Sequence, residues 1–211
     1  MTGAGFPLAS RAAVDRRIDL VVMEPPGRLD AARAARYEEI GRTLEAIAGR
    51  PVRARHYVGL ERLGGAPAIL GGAAGTWDEH ERSALNRLGE IVLAADAPLL
   101  GICGGMQLLA QFAGGRIETM QPATREELGF GPVEIVDDDD LLAGLPRRAT
   151  VYHDHRDEIV ELPAGFRVLA RTEACAVQAV AALVSAGVVA RVWALAAFDR
   201  PSGIPRIRRR S

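Results

Sequence analysis

Apolar residues along this chain follow two alternating rhythms, and the alternation predicts its architecture. Residues 18–23 form a short apolar run with β-branched members, as expected of a strand buried on both faces. After the Pro25-Pro26-Gly27 break, Asp30 can cap a helix whose apolar stripe is Tyr37, Ile40, Leu44 and Ile47, with Gly49 and Pro51 ending it. Residues 52–58 and 66–70 predict two further strands, the second stopped by Gly71-Gly72. Thr76 or Asp78 opens the next helix, with Leu85, Leu88, Ile91 and Val92 facing inward. Residues 97–102 read as another buried strand, and residues 106–112 as another helix closed by Gly114-Gly115.

Strands that alternate with helices imply an α/β fold, a mostly parallel sheet covered by helices on both faces. Ligands of such sheets bind beyond the carboxyl ends of the strands. From Gly131 onward the rhythm changes. Residues 132–136, 149–152 and 168–172 are short strand-like pieces separated by turns such as Leu162-Pro163-Ala164-Gly165. They predict a small antiparallel addition to one edge of the main sheet, and no linker sets it apart as a separate domain.

Composition narrows the partners. The 211 residues suit one large domain or two small ones, and 48% hydrophobic residues supply one contiguous core. A formal net charge of -1 gives no reason to expect nucleic acid or an anionic membrane as partner. The basic end, with Arg206, Arg208, Arg209 and Arg210, reads as a solvated tail. Cys103 and Cys175 are the only cysteines and have no paired spacing, so no disulfide framework and a reduced, cytoplasmic setting are expected. The apolar stretch 177–198 contains Arg191 and falls short of the ~20 clean apolar residues of a membrane span, so buried strands or a core helix are expected. Four aspartates at 137–140 read as a solvated turn. A hard cation needs oxygens arranged around a point, so no metal site is expected. A Walker-type phosphate loop is absent, and no cofactor is expected.

The chemistry is concentrated at one turn. Gly101, Cys103 and Gly105 fill a G-x-C-x-G pattern between a buried strand and a helix, the thiol form of the nucleophile elbow. Glycines there make room for a strained residue that projects from the sheet. A thiol at a helix N-terminus is expected to have a lowered pKa. The amide of Gly104 is then free to bind an oxyanion. Gly71-Gly72, at the same sheet edge, is placed to offer a second donor.

With those segments in view, the chain resembles the class I, triad-type glutamine amidotransferases, including the glutaminase half of GMP synthetase. Residues 99–107, the Ile69-Leu-Gly-Gly72 loop, Leu128-Gly-Phe-Gly131, residues 141–145, the His153–Asp157 stretch and Thr172-Glu-Ala-Cys175 match the family's segments in order. The resemblance implies a flavodoxin-like sheet and glutamine hydrolysis, a hydrolase step within a transferase reaction. Cys103 would form a glutamyl thioester and release ammonia, Gly72 and Gly104 would supply oxyanion amides, and Gln107 and Gly71 would help hold glutamine. It also implies a separate synthetase or acceptor subunit for the ammonia.

The resemblance runs over about residues 18–180, leaving 1–17 as a loose leader and 181–211 as an atypical tail. The family completes its triad near the C-terminus with a His-Pro-Glu element, which this sequence lacks; its histidines are His56, His80, His153 and His155. Structural or substrate-edge roles are expected of them. Two accounts of the tail stay open: a natural non-catalytic homologue that binds a ligand or partner, and a frame-altered, non-native end. Impaired glutamine hydrolysis is the leading expectation, with a binding module or a γ-glutamyl hydrolase as alternatives.

Overall fold

The first strand, β1 (Ile18–Val22), is buried at every position. It lies between β2 (Val52–His56) and β3 (Ala68–Leu70), both parallel to it, and β3 pairs in parallel with β4 (Leu99–Ile102). The computed structural model describes residues 17–73, 75–121, 127–137, 141–184 and 190–195. The leader, most of the aspartate run and the basic tail lie outside the described residues.

Helix α1 (Ala31–Ala48) starts where Asp30 accepts a hydrogen bond from the Arg33 amide at 2.8 Å and ends at Gly49 with φ 62°. On one face of the sheet, Tyr37, Ile40 and Leu44 pack on Ile18, Leu20, Ile69, Leu100 and Ile102. Ile47, expected in that stripe, is 65% exposed, because the buried point of α1 is Gly41 and Ile47 lies beyond it. Helices α2 (Arg82–Leu93) and α3 (Gly104–Phe112) cover the opposite face, where Leu88, Leu108 and Leu109 meet Val21, Leu70 and Leu99. Fully burying each such side chain contributes about 1.5–3 kcal/mol.

Local chemistry moved several boundaries. Thr76 does not open α2; with Glu79 it forms a reciprocal capping box on a single 3₁₀ turn, Trp77–Glu79, and the extended backbone of His80 separates this from the helix. The second strand stops at His56 because Tyr57–Gly59 forms another 3₁₀ turn. Helix α3 begins at Gly104, directly after the cysteine.

Beyond β4 the sheet continues and changes character. Two strands, β5 (Arg116–Thr119) and β8 (Asp157–Glu161), form a separate antiparallel ribbon. The others are β6 (Glu127–Ile135), β7 (Arg148–His155), β9 (Phe166–Arg171), β10 (Ala179–Val184) and β11 (Ala190–Leu195). Sheet order is β2-β1-β3-β4-β11-β10-β9-β6-β7 over nine strands. β11 lies parallel to β4 with Leu195 opposite Ile102, and pairings from β11 outward to β7 are antiparallel. The boundary expected at residue 180 therefore falls inside β10. Among the described residues no helix is long and apolar enough to cross a membrane.

Candidate functional site

β4 passes into α3 through one residue, Cys103, with φ 53° and ψ -116°. It is the one non-glycine residue with positive φ among the described residues. Such a conformation costs about 1–3 kcal/mol and persists only where its surroundings over-determine it. Glycines supply that constraint. A Cβ on Gly105 would lie 2.2 Å from the Leu70 carbonyl oxygen, and one on Gly101 would lie 2.7 Å from the Gly105 backbone. Strand and helix thus meet main chain to main chain beneath the turn. Gly72 faces the cysteine, since a Cβ there would sit 3.3 Å from Cys103 Cβ and 3.7 Å from Sγ. The Trp77 ring lies over Gly104, 3.0 Å from the position of an added Cβ.

The other residues singled out by sequence are committed to the framework. Gly71 donates its amide to the Val21 carbonyl at 3.1 Å, extending the β1–β3 pairing. Gln107 is buried, and its Nε2 donates to the Asp157 carbonyl at 2.7 Å. Cys103, Gln107, His155, Asp157 and Cys175 line an enclosed cavity of ≈ 10 Å³, room for about one water. Trp77 also lines a larger open groove of ≈ 430 Å³ with Thr76, Asp78, Thr119, Arg156 and Asp157.

The electrostatics of the thiol differ from expectation. Burial pushes Cys103 up, Asp154 and Asp157 add to the rise, and the Gly104 amide offsets only part of it. The helix N-terminus is present, but Cys103 is half-buried, and desolvation outweighs the amide. The hydrogen-bond partner of Sγ among the described residues is the Asp154 carbonyl at 3.9 Å. Burial pushes the second thiol, Cys175, up to about 12.

Among the described residues no histidine is hydrogen-bonded to Sγ. His155 engages both ring nitrogens: Nδ1 with the Asp157 carbonyl at 3.2 Å, and Nε2 with Glu127 Oε2 at 3.0 Å and the Gln178 amide at 3.2 Å. Burial opposes charge on His155, yet the Glu127 contact raises its pKa overall. Burial likewise disfavours the Glu127 carboxylate, but His155 and Thr172 hold its pKa below the usual range. His153 Nδ1 lies 4.0 Å from Glu127. One donor atom from each of Glu127, His153 and His155 falls within 4.8 Å of the other two. Of the other two histidines, His80 Nδ1 meets the Tyr57 hydroxyl at 3.2 Å, and His56 Nε2 meets the Glu24 carbonyl at 2.8 Å.

The model for the class-I glutamine amidotransferase family matches residues 68–189, more than half of the chain, and includes the elbow, the Gly72 loop and the His153–His155 strand. The chain belongs to the class-I glutamine amidotransferase family. One subunit of the glutamine-hydrolysing GMP synthase of Thermococcus kodakarensis is 44% identical over 84 residues, 40% of this chain and 43% of that protein. The chain thus spans less than half the length of this curated relative. Among solved structures, a protein of Thermoplasma acidophilum described as a GMP synthase component superposes with a TM-score of 0.64 at 24% identity, covering 85% of this chain and 81% of that one. A glutamine amidotransferase of Thermotoga maritima superposes with a TM-score of 0.63 at 23% identity, covering 86% of this chain and 74% of that one. At these identities the structural likeness is one of fold.

Two features of this family member escaped the sequence reading. The Glu127–His155–Gln178–Thr172 network joins β6 and β7 to the connection between β9 and β10, and its one sequence signal is the alternation His153-x-His155 on a single strand face. Tyr37 reads as core on the α1 stripe, yet its hydroxyl sits 3.1 Å from the Gly72 carbonyl and 3.2 Å from Glu24 Oε1.

Proposed function

We propose that this chain is a glutaminase-type amidotransferase component with Cys103 as nucleophile and strongly impaired turnover. The observation that carries the reading is the strained, glycine-packed elbow, with Sγ directed at Gly72 and flanked by the Gly104 amide. Attack of the thiolate on the glutamine side-chain carbonyl would place a developing oxyanion near the Gly72 and Gly104 amides, where fixed donors lower the barrier. Collapse forms the Cys103 thioester and expels ammonia, and water then releases glutamate. Gln107 and Gly71 hold the floor of this site. The Thermococcus relative is named as one subunit of its synthase, which supports a separate acceptor for the ammonia.

Impairment follows from the thiol's surroundings. Its pKa is raised, and among the described residues Sγ has a carbonyl rather than an imidazole as partner. Residues of a catalytic triad act as a unit, and losing one member costs up to about a millionfold in rate. A thiol retains some reactivity because a fraction ionises unaided.

A chloroketone analogue of glutamine is expected to label the chain once, slowly, with Cys103→Ala unlabelled, while ammonia release from glutamine stays near background. Normal turnover that disappears in Cys103→Ala would remove the impairment from the reading; labelling elsewhere would remove Cys103. The small cavity beside Sγ also favours a second reading, a module that senses glutamine in the open groove without cleaving it. That reading expects glutamine binding to survive Cys103→Ser with no ammonia from either form.

A further inference from the structure

Glu127, His153 and His155 converge on one face of the β6–β7 pair. Glu127 stands opposite His155 in the register, and His153, two residues before His155, projects to the same side. Glu127 Oε2 is 3.0 Å from His155 Nε2 and 4.0 Å from His153 Nδ1.

His153 is the odd member. It is only 4% exposed, and neither of its ring nitrogens has a hydrogen-bond partner. Buried polar groups are almost always satisfied, and a desolvated imidazole without a partner costs stability. An apolar residue would fill this position without that penalty. His155 gives a second sign. Its Nδ1–H donates to the Asp157 carbonyl, which turns the Nε2 electron pair toward the Glu127 carboxylate. In this structure the Gln178 side-chain amide donates to both the His155 Nε2 electron pair and Glu127 Oε2, so an ion bound between His155 and Glu127 would take the place of that bridging N–H. Fixing one ring nitrogen on a backbone carbonyl is how metal-ligating histidines are oriented, and the Thr172 hydroxyl, 2.7 Å from Glu127 Oε1, supports the carboxylate in the same way.

We propose that Glu127, His153 and His155 form a site for a divalent transition-metal ion, with Zn²⁺ as the first choice. Two neutral imidazoles and one carboxylate suit a borderline-soft ion and leave a fourth position open, whereas Ca²⁺ and Mg²⁺ want more oxygens. Metal–ligand bonds of about 2.0–2.2 Å put ligand atoms roughly 3.0–3.5 Å apart. The Glu127–His155 separation already fits, and rotation of the His153 side chain brings in the third donor. The ion would tie β6 to the edge strand β7 and fix His155, which also lines the Cys103 cavity. Nothing in this proposal depends on whether Cys103 turns over glutamine.

Metal-stripped protein titrated with zinc chloride tests the site by calorimetry and thermal melting. Expected are one ion per chain and a raised Tm that EDTA reverses. The Cys103→Ala/Cys175→Ala variant keeps both effects. His153→Ala weakens binding at least about tenfold, the lower bound for loss even of an outer partner; truncating this buried ring also leaves a cavity that lowers the metal-free Tm, so the zinc-induced rise is measured from each variant's own metal-free value. Should His153→Ala fail to fold, the Co²⁺ spectrum of the parent decides: visible ligand-field bands without thiolate charge transfer support a His/Glu set. Zinc binding that is unchanged by His153→Ala, abolished by removing the cysteines, or not detected at all overturns the proposal and leaves the Glu127–His155 contact as an ion pair only.

Discussion

The parallel half of the sheet ends in a site built from main chain, and the antiparallel half ends in one built from side chains. Around Cys103 the distances that matter are backbone to backbone: Gly101 against Gly105, Gly105 against Leu70, Gly72 against the cysteine itself. Around Glu127 they are side chain to side chain, with Thr172, Gln178 and His155 each hydrogen-bonded to the carboxylate. The glycines differ accordingly. Gly129, in β6, has φ 100° and nothing within 4 Å of an added Cβ, so its cost is conformational, whereas the cost at Gly105 is steric. A main-chain site is rigid and intolerant of bulk. A polar side-chain site is sensitive to the loss of any one partner.

The largest expected effect tests the steric half of this contrast. Gly105→Ala drives a methyl group to 2.2 Å from a carbonyl oxygen held in a central strand, and neither side can yield cheaply. We expect a loss of about 3 kcal/mol or more, at the upper end for overpacked cores, with much of the protein insoluble. Gly129→Ala should cost only the left-handed backbone penalty of about 1–2 kcal/mol. Equal losses in urea unfolding of the two variants would erase the distinction.

This contrast also explains what could be read in advance. The elbow was legible because glycines at fixed offsets around a cysteine carry a backbone requirement in the letters themselves. The alternating segments were legible for the same reason: Asp30 and Gly49 bracket α1 as capping chemistry demands. The polar network was not. Glu127, His155 and the Thr172–Gln178 connection lie far apart in sequence and meet only through the β9-β6-β7 order and the neighbouring β10, which no local pattern encodes. The raised thiol pKa was missed because it depends on residues distant in sequence, Asp154 and Asp157 and the cavity wall at 157–159, while the sequence showed only the helix start. Thr76 misled as a helix start because a capping box marks any helical turn, including a single 3₁₀ one.

On the side-chain half, Glu127→Ala should leave His155, Thr172 and Gln178 facing an empty acceptor. Orphaning buried donors costs about 1–3 kcal/mol. Glu127→Gln, which keeps one acceptor oxygen, should recover part of it. Losses in Tm that are identical for the two variants would mean that packing, not hydrogen bonding, holds this region.

The strain at the elbow predicts a gain. Cys103→Ala keeps a Cβ at φ 53°, whereas Cys103→Gly releases it. The relief of about 1–3 kcal/mol is partly offset by the extra freedom of glycine in the unfolded chain, about 0.4–1 kcal/mol. Cys103→Gly should therefore be more stable than Cys103→Ala by about 1 kcal/mol, or about 2–4 °C in Tm for a chain of this size. Equal stability would show that Cys103 is not strained.

The smallest effect concerns His80, buried between Trp77 and Tyr57 beside the elbow. Burial holds its pKa below the ordinary 6.5, against smaller opposing pulls from Glu24 and Glu79. The unfolded chain then binds the proton more readily than the folded one, so stability rises with pH wherever the two differ in occupancy. Its contribution is complete above 6.5 and is lost as pH falls through 6.5 toward the folded value. His80→Phe keeps the ring stacking and loses the Tyr57 hydrogen bond, a pH-independent penalty of about 1 kcal/mol. Melting in EDTA at about pH 7.5 and about pH 5.5, on either side of the ordinary histidine value, should therefore show the parent losing more Tm on acidification than His80→Phe does. Parallel losses would mean that proton uptake by His80 does not couple to unfolding, and that the main-chain half of the molecule is as indifferent to charge as its backbone contacts suggest.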